Sequence, residues 1–282
     1  MPSEWDPAGR VVAITGGARG LGLATARALH RAGMRVAIGD LDGDLARAAA
    51  AQLGDGAAGM QMDVTRRDSF AAFLDEAEGR LGELDVLVNN AGIMVLGRFV
   101  DEDDATTQRM LDINVRGVLL GMKLALPRMI ARDSGHIVNM ASQAGTFGTP
   151  GGVTYAATKH AVVGATEAVR RELRLEGSRV RLSYLLPYIA DTELGRGTTT
   201  DARSFRMLRP EEVAAGVLAA LRDGTVDVWL PRHSKVINKL ATAAPRPVME
   251  AVAKALRADR VLFASDAEAR RAYDERATRS PS

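Results

Sequence analysis

Short, β-branched apolar runs alternate along this chain with longer segments whose apolar positions recur at helical spacing. The runs over 10–15 (RVVAIT), 35–40 (RVAIGD), 84–89 (LDVLVN), 136–140 (HIVNM), 180–186 (VRLSYLL) and 226–230 (VDVWL) predict strands, and a further strand is expected just before Asp63. Helical periodicity predicts helices over 21–32, 44–53, 66–80, 105–131, 154–176 and 210–221. Strands that are apolar on both faces, separated by helices, are the pattern of a parallel sheet covered on both sides. The expected class is therefore α/β: one doubly wound parallel sheet of about seven strands with right-handed crossovers. Ligands of such sheets sit at the carboxyl ends of the strands, near the point where strand order reverses.

Beyond residue 231 the alternation stops. The stretch 232–282 carries 11 basic and 6 acidic side chains, a net of +5. Val248, Met249, Val252 and Leu256 share a helical face and are followed by Val261-Leu262-Phe263, so one or two amphipathic helices are expected there. Packing on the body or on a sister subunit suits that narrow face better than peripheral membrane contact, which wants more aromatic weight. The chain thus divides into a leader over 1–9, a catalytic body over 10–231 and a basic helical extension over 232–282.

Composition narrows the function. With 37 basic and 35 acidic residues the net charge is +2, too balanced for a protein whose main partner is nucleic acid. The absence of cysteine excludes disulfide scaffolds, thiolate metal sites and cysteine nucleophiles. His30, His136, His160 and His233 are scattered without ligand spacing, so no metal is expected. No apolar run reaches the roughly 18 residues of a membrane span, and the first residues lack the basic and apolar regions of a secretory signal, which predicts a cytoplasmic protein.

The first predicted strand runs through Thr15-Gly16-Gly17-Ala18-Arg19-Gly20-Leu21-Gly22 straight into a helix. Residues without Cβ let backbone N–H groups reach a ligand there, and the helix N-terminus adds partial positive charge. Gly16 makes the turn, Gly20 admits a diphosphate and Gly22 lets helix and strand pack closely, a dinucleotide pattern in this strand-to-helix setting. Asp40 ends the second strand, 20 residues after Gly20. A carboxylate there accepts ribose hydroxyls and repels a 2′-phosphate, which favours NAD over NADP; Arg19 is the opposing feature, since its guanidinium could pair with such a phosphate. Asp63, with Val64, either reaches the adenine amino group or caps the helix beginning near Arg66.

Ser142 follows the strand HIVNM, and Tyr155 and Lys159 stand four residues apart, on one face of a predicted helix. A free tyrosine titrates near pH 10, and a neighbouring ammonium favours the phenolate, turning the phenol into a usable proton acceptor.

The motifs TGGARGLG, Asn89-Asn90-Ala91-Gly92, Asn114 in LDINVRGV, Ser142 and YAATK occur in this order between Thr15 and Thr192. In them the chain closely resembles the short-chain dehydrogenase/reductase family, in the branch whose core runs to roughly 250 residues, near the upper end of domain size. The resemblance implies a Rossmann-like fold and an NAD-dependent oxidoreductase interconverting a secondary alcohol and a ketone. Tyr155 would be its acid/base, Lys159 would tune that phenol and hold the nicotinamide ribose, Ser142 would bind the substrate oxygen, and Asn114 would hold a relay water. Asn90, Ala91 and Gly92 would line the adenosine side, and Ile189 and Thr192 would meet the carboxamide, with Pro187 and Leu21 among the cofactor contacts. Assembly as a homodimer or homotetramer through the helices 105–131 and 154–176 is also implied.

One departure stands out. The family has Pro-Gly after the sixth strand, and this chain has Pro187-Tyr188. A ring there is expected to line or narrow the substrate pocket. Substrate choice is expected in 188–207, with Gln143, Thr146, Phe147 and Leu194; Gly195, Gly197 and Thr198-Thr199-Thr200 read as a mobile lid. Near walls of Met94, Val95, Phe147, Ile189 and Leu194, with no arginine cluster, predict an apolar substrate, alicyclic or steroid-like. The competing readings are an NADPH-dependent carbonyl reductase and a non-catalytic NAD-binding scaffold.

Overall fold

The computed structural model describes residues 5–198, 206–245, 247, 250–251 and 260–278. Seven strands form one parallel sheet in the order β3-β2-β1-β4-β5-β6-β7: β1 (Val11–Thr15), β2 (Arg35–Asp40), β3 (Ala57–Gln61), β4 (Leu84–Asn89), β5 (His136–Met140), β6 (Arg181–Pro187) and β7 (Asp227–Leu230). The order runs outward in both directions from the β1–β4 pair, where Ile14 lies opposite Val88, so the crevice of a doubly wound sheet opens there. This is the architecture the apolar alternation predicts, and the strand bounds agree to within a residue.

Period-2 alternation divides the core in two. Val11, Ala13, Leu87 and Ile137 face one side. They pack with Phe70 and Leu74 of α3 (Arg67–Leu81), Met122 and Met129 of α5 (Gly117–Ala131), and Val162 and Leu173 of α6 (Val153–Leu175). Val12, Ile14, Val88 and Val138 face the other. There they meet Ala26 and Leu29 of α1 (Gly20–Arg31), Ala46 and Ala50 of α2 (Gly43–Leu53), and Val213 and Val217 of α7 (Pro210–Asp223). Burying both faces at about 25 cal/mol per Å² of apolar surface is what makes strands of Val, Ile, Leu and Ala sufficient with so few aromatic residues.

The single helix expected over 105–131 is interrupted. α4 (Asp104–Leu111) passes through a wider π turn (Asp112–Arg116) before α5 resumes the ordinary ladder. A wider turn re-aims one side chain without ending the helix, and such turns gather at functional sites. Here the turn holds Asn114, which is fully buried.

After β7 come α8 (Ser234–Ala243), a short helix (Arg260–Phe263) and a C-terminal helix (Ala267–Thr278). The face expected from Val248, Met249, Val252 and Leu256 lies outside the described residues, as do Thr199 and Thr200 of the expected lid. No helix among the described residues is long and apolar enough to cross a membrane.

Candidate active site

At the carboxyl ends of the strands lies a cavity of about 1150 Å³. Its floor is the glycine-rich turn, with Gly16, Arg19, Gly20 and Leu21 on the lining beside Asp40, Asp63 and Val64. Asn90, Ala91 and Gly92 follow β4 along the same wall, and Pro187, Tyr188, Ile189, Thr192 and Leu194 follow β6. Ser142, Gln143, Phe147, Tyr155 and Lys159 close the remaining side. Two of the expected residues, Gly22 and Asn114, stand behind the walls as supports.

The support from Gly22 is steric. A Cβ on it would lie 2.2 Å from the carbonyl oxygen of Gly16 and 2.7 Å from Nδ2 of Asn90, so α1 approaches the turn only because the atom is missing. Asn90 braces the turn, Nδ2 donating to the carbonyls of Thr15 (2.9 Å) and Gly16 (3.0 Å). Asp40 fastens it from β2: Oδ2 accepts the N–H of Ala18 at 3.1 Å and Oδ1 that of Asp42 at 3.2 Å. Arg19 turns to Asp42, 3.5 Å away and itself on the cavity wall. The mouth of the adenosine side thus presents two carboxylates, Asp40 and Asp42, with Arg19 already partnered by one of them. Asp63 forms a local turn, Oδ1 accepting from Thr65 N and Oγ1, and the helix after it begins behind Arg66, which makes no side-chain cap. Asp63 therefore does not cap that helix.

Tyr155 and Lys159 lie one turn apart on α6, as the spacing predicts, and the Lys159 Nζ stands 5.6 Å from the centre of the Tyr155 ring. Both are buried. The ammonium donates to the carbonyl of Met140 at 2.8 Å, and burial pulls its pKa down to about 8. The phenol is the correction. Sequence reasoning expects the neighbouring ammonium to lower it, but burial pushes it up to about 12, opposed by a hydrogen bond with Ser142. Desolvation penalises the phenolate more than the protein's own groups favour it. Ser142 Oγ also accepts the N–H of Ala144 at 3.2 Å and donates to Pro187 O at 3.4 Å. Asn114 braces the site from behind: its Oδ1 accepts the N–H of Ile93, and its Nδ2 donates to the Ile93 carbonyl and to Thr158 Oγ1. A Cβ on Gly92 would lie 3.2 Å from Asn114 Oδ1 and 3.5 Å from Lys159 Nζ, so that glycine keeps the two close.

Other expectations change. Gln143 lines the cavity, yet its amide nitrogen donates to Leu230 O and Ser234 Oγ, tying the site to β7 and α8. Thr146 is absent from the wall and pairs with Asn238 and the Gln143 carbonyl. The described part of the expected mobile lid is fastened: Gly197 O accepts the N–H of Asp266 at 2.8 Å, and Leu194 O and Arg196 O accept from Arg270.

That fastening comes from the C-terminal helix, expected to pack on the body or on a sister subunit, which packs on its own body and roofs the cavity. Arg270 is 1% exposed and bridges the loops after β4 and β6, with a further bond to Met94 O at 2.6 Å. Leu262 packs with Met94 and Tyr155, and a Cβ on Gly151 (φ +79°) would come within 2.6 Å of Phe263 Cα. Tyr273, Arg276 and Ala277 join the lining, and Arg276 pairs with Glu193 at 2.8 Å. Arg109 also lines the cavity and donates to Ala277 O, a guanidinium on a wall where sequence reasoning named only apolar residues. No local period signals these contacts, because the partners stand some 75 to 180 residues apart in the chain.

The short chain dehydrogenase family model matches residues 10–203. The chain is 37% identical over 230 residues to 2-(S)-hydroxypropyl-CoM dehydrogenase 3 of Xanthobacter autotrophicus, covering 76% of this chain and 89% of that one. It is 39% identical over 220 residues to cis-4-hydroxycyclohexanecarboxylate dehydrogenase of Sinomonas cyclohexanicum, covering 74% and 87%. A short chain dehydrogenase/reductase from Burkholderia phymatum, solved in complex with NAD, superposes with a TM-score of 0.77 at 26% identity over 85% of this chain and 95% of that chain. A family match over the whole glycine turn and the Ser-Tyr-Lys wall, on a sheet of the same order of strands and crossovers, leads to one conclusion: this chain belongs to the short-chain dehydrogenase family and is an oxidoreductase.

Proposed function

We propose that this chain is an NAD-dependent oxidoreductase that interconverts a secondary alcohol and a ketone, with residues 10–231 as its catalytic body and 232–282 as the extension that closes it. The observation that carries the reading is that Ser142, Tyr155 and Lys159 share one cavity with the glycine-rich turn and Asp40.

The residues fit a dinucleotide. Gly22 lets α1 close against the glycine turn, where a Cβ would strike Gly16 O, and the first turn of α1 supplies N–H groups and positive potential for a diphosphate. Asp40 would take the adenosine ribose, and with Asp42 beside it a 2′-phosphate would meet two carboxylates, which selects NAD. Asn90, Ala91, Gly92, Ile189 and Thr192 would hold the rest. When bound, NAD supplies the carbon that accepts or returns the hydride.

The chain's own residues handle the proton. Ser142 donates a hydrogen bond to the substrate oxygen and fixes it beside the Tyr155 hydroxyl. Tyr155 gives its proton to that oxygen in reduction and takes it in oxidation. Its high pKa favours the protonated phenol even with the Lys159 ammonium 5.6 Å from the ring centre, so oxidation needs positive charge beyond what these residues supply, which the oxidised nicotinamide would bring when bound. Asn114 holds the Ile93 backbone and Thr158 in register behind this pair.

The substrate we infer is apolar and of alicyclic size. Met94, Ala144, Leu262, Ile189 and Leu194 surround Tyr155, and two relatives are named for hydroxy substrates, one of them a cyclohexane. Assembly as a dimer or tetramer through α5 and α6 fits the exposed Ile130 and Leu175, and gel filtration tests it. For the reaction, cyclohexanols and related alcohols are offered with NAD and NADH absorbance is followed. Turnover that falls at least a thousandfold in Tyr155→Phe is expected; turnover unchanged in that variant sinks the catalytic assignment.

A further inference from the structure

Tyr273 is a polar group on the cavity wall that the reaction above does not use. It stands on the C-terminal helix (Ala267–Thr278) and lines the same cavity as Tyr155. Its oxygen accepts the N–H of Met94 at 3.0 Å. Its own proton has no acceptor among the described residues. The ring is held in place: the Arg270 guanidinium lies 5.2 Å from its centre and is itself bonded to Met94 O, Leu194 O and Arg196 O. A phenol whose lone pair takes a hydrogen bond becomes a better donor through its O–H, because hydrogen bonds in series polarise one another. A rigid donor beside the apolar cluster around Tyr155 also discriminates strongly, since a ligand that leaves it unpaired loses that bond and desolvates the hydroxyl for nothing.

We propose that Tyr273 is a substrate-positioning residue that donates its hydroxyl proton to a second oxygen of the substrate, distinct from the oxygen handled by Ser142 and Tyr155. The substrate class is accordingly an apolar secondary alcohol or ketone that carries an additional ether, carbonyl or carboxylate oxygen away from the reacting carbon. The inference rests on the secondary-alcohol reading above.

The test uses isosteric pairs: 3- and 4-methoxycyclohexanol against 3- and 4-ethylcyclohexanol, with NAD and the full chain. In the wild type at least one methoxy compound is expected to show a KM about five- to tenfold below that of its ethyl isostere. Tyr273→Phe should abolish that difference by raising the methoxy KM to the ethyl value. Replacement of Tyr273 by 3-fluorotyrosine, which keeps the fold contacts and sharpens the donor, should widen the difference. A wild-type preference that Tyr273→Phe leaves intact overturns the inference, as does an equal loss on both members of a pair, which marks a wall and not a donor. A wild type that turns over both members with equal KM overturns it too, with the secondary-alcohol reading left standing. Turnover of neither member by the wild type refutes that reading and this inference together.

Discussion

The carboxylate of Asp40 accepts the N–H of Ala18 at 3.1 Å, so the acid that ends β2 and the turn that follows β1 are fixed to each other. One side chain therefore shapes the glycine turn and sets the charge at that end of the cavity. Asp40→Ala should weaken NAD about tenfold and raise the NADP-to-NAD ratio of kcat/KM by at least as much, since one of the two carboxylates that repel a 2′-phosphate is gone while Arg19, paired with Asp42, stays on the same wall. Parallel titrations of the two cofactors read this directly. An unchanged ratio would show that cofactor choice lies elsewhere.

Arg270 makes three bonds to backbone carbonyls from a site that is 1% exposed. Arg270→Met removes all three and should loosen the roof by about 3 kcal/mol, because hydrogen bonds from a buried charge are worth more than neutral ones. Substrate KM is expected to rise at least tenfold with NAD affinity within twofold, and limited proteolysis should then cut near the C-terminal helix. Equal losses for substrate and cofactor would mean that the whole sheet had been disturbed.

Lys159 titrates near pH 8 in the folded protein against 10.5 for a free lysine, because burial disfavours its charge. Between those values the unfolded chain binds more protons than the folded one, so stability rises with pH across that window, by up to roughly 3 kcal/mol. Tyr155, raised from 10 to about 12, acts in the opposite sense above pH 10. Urea denaturation at pH 7.5, 9 and 10 should show the rise in the wild type and its absence in Lys159→Met.

His136 is buried in β5, with Nε2 2.8 Å from Ser183 Oγ and Nδ1 without a partner among the described residues. Burial, with Arg181 nearby, holds its pKa down to about 3. The unfolded imidazole takes its proton near pH 6.5 and the folded one does not, so stability is lost as pH falls from 6.5 toward 3, by up to roughly 5 kcal/mol. His136→Leu should remain as stable at pH 4 as at pH 7 where the wild type weakens. If both decline in parallel, carboxylates elsewhere set the acid limit.

Much of this was legible along the chain. The strands of the sheet read as apolar runs because both faces are covered, and the glycine turn, Asp40, Ser142, Tyr155 and Lys159 could be picked out because each is set by local spacing: a turn, a strand end, or one helical turn. The π turn at Asn114 was not visible, since nothing in a helical period announces a single wider turn whose reason is a bond to Ile93 far from it in sequence. Nor was the direction of the Tyr155 shift, which depends on how deeply the ring is buried.

The sequence by itself determined the sheet, its helices and the chemistry set along its carboxyl edge, because periodicity and short-range spacing act within a few residues. Only the tertiary structure decided what closes the chamber. Arg270, Tyr273 and Leu262 reach Met94, Leu194 and Tyr155 across 70 to 180 positions, and contacts of that kind follow from the shape of the surface the rest of the chain has already built.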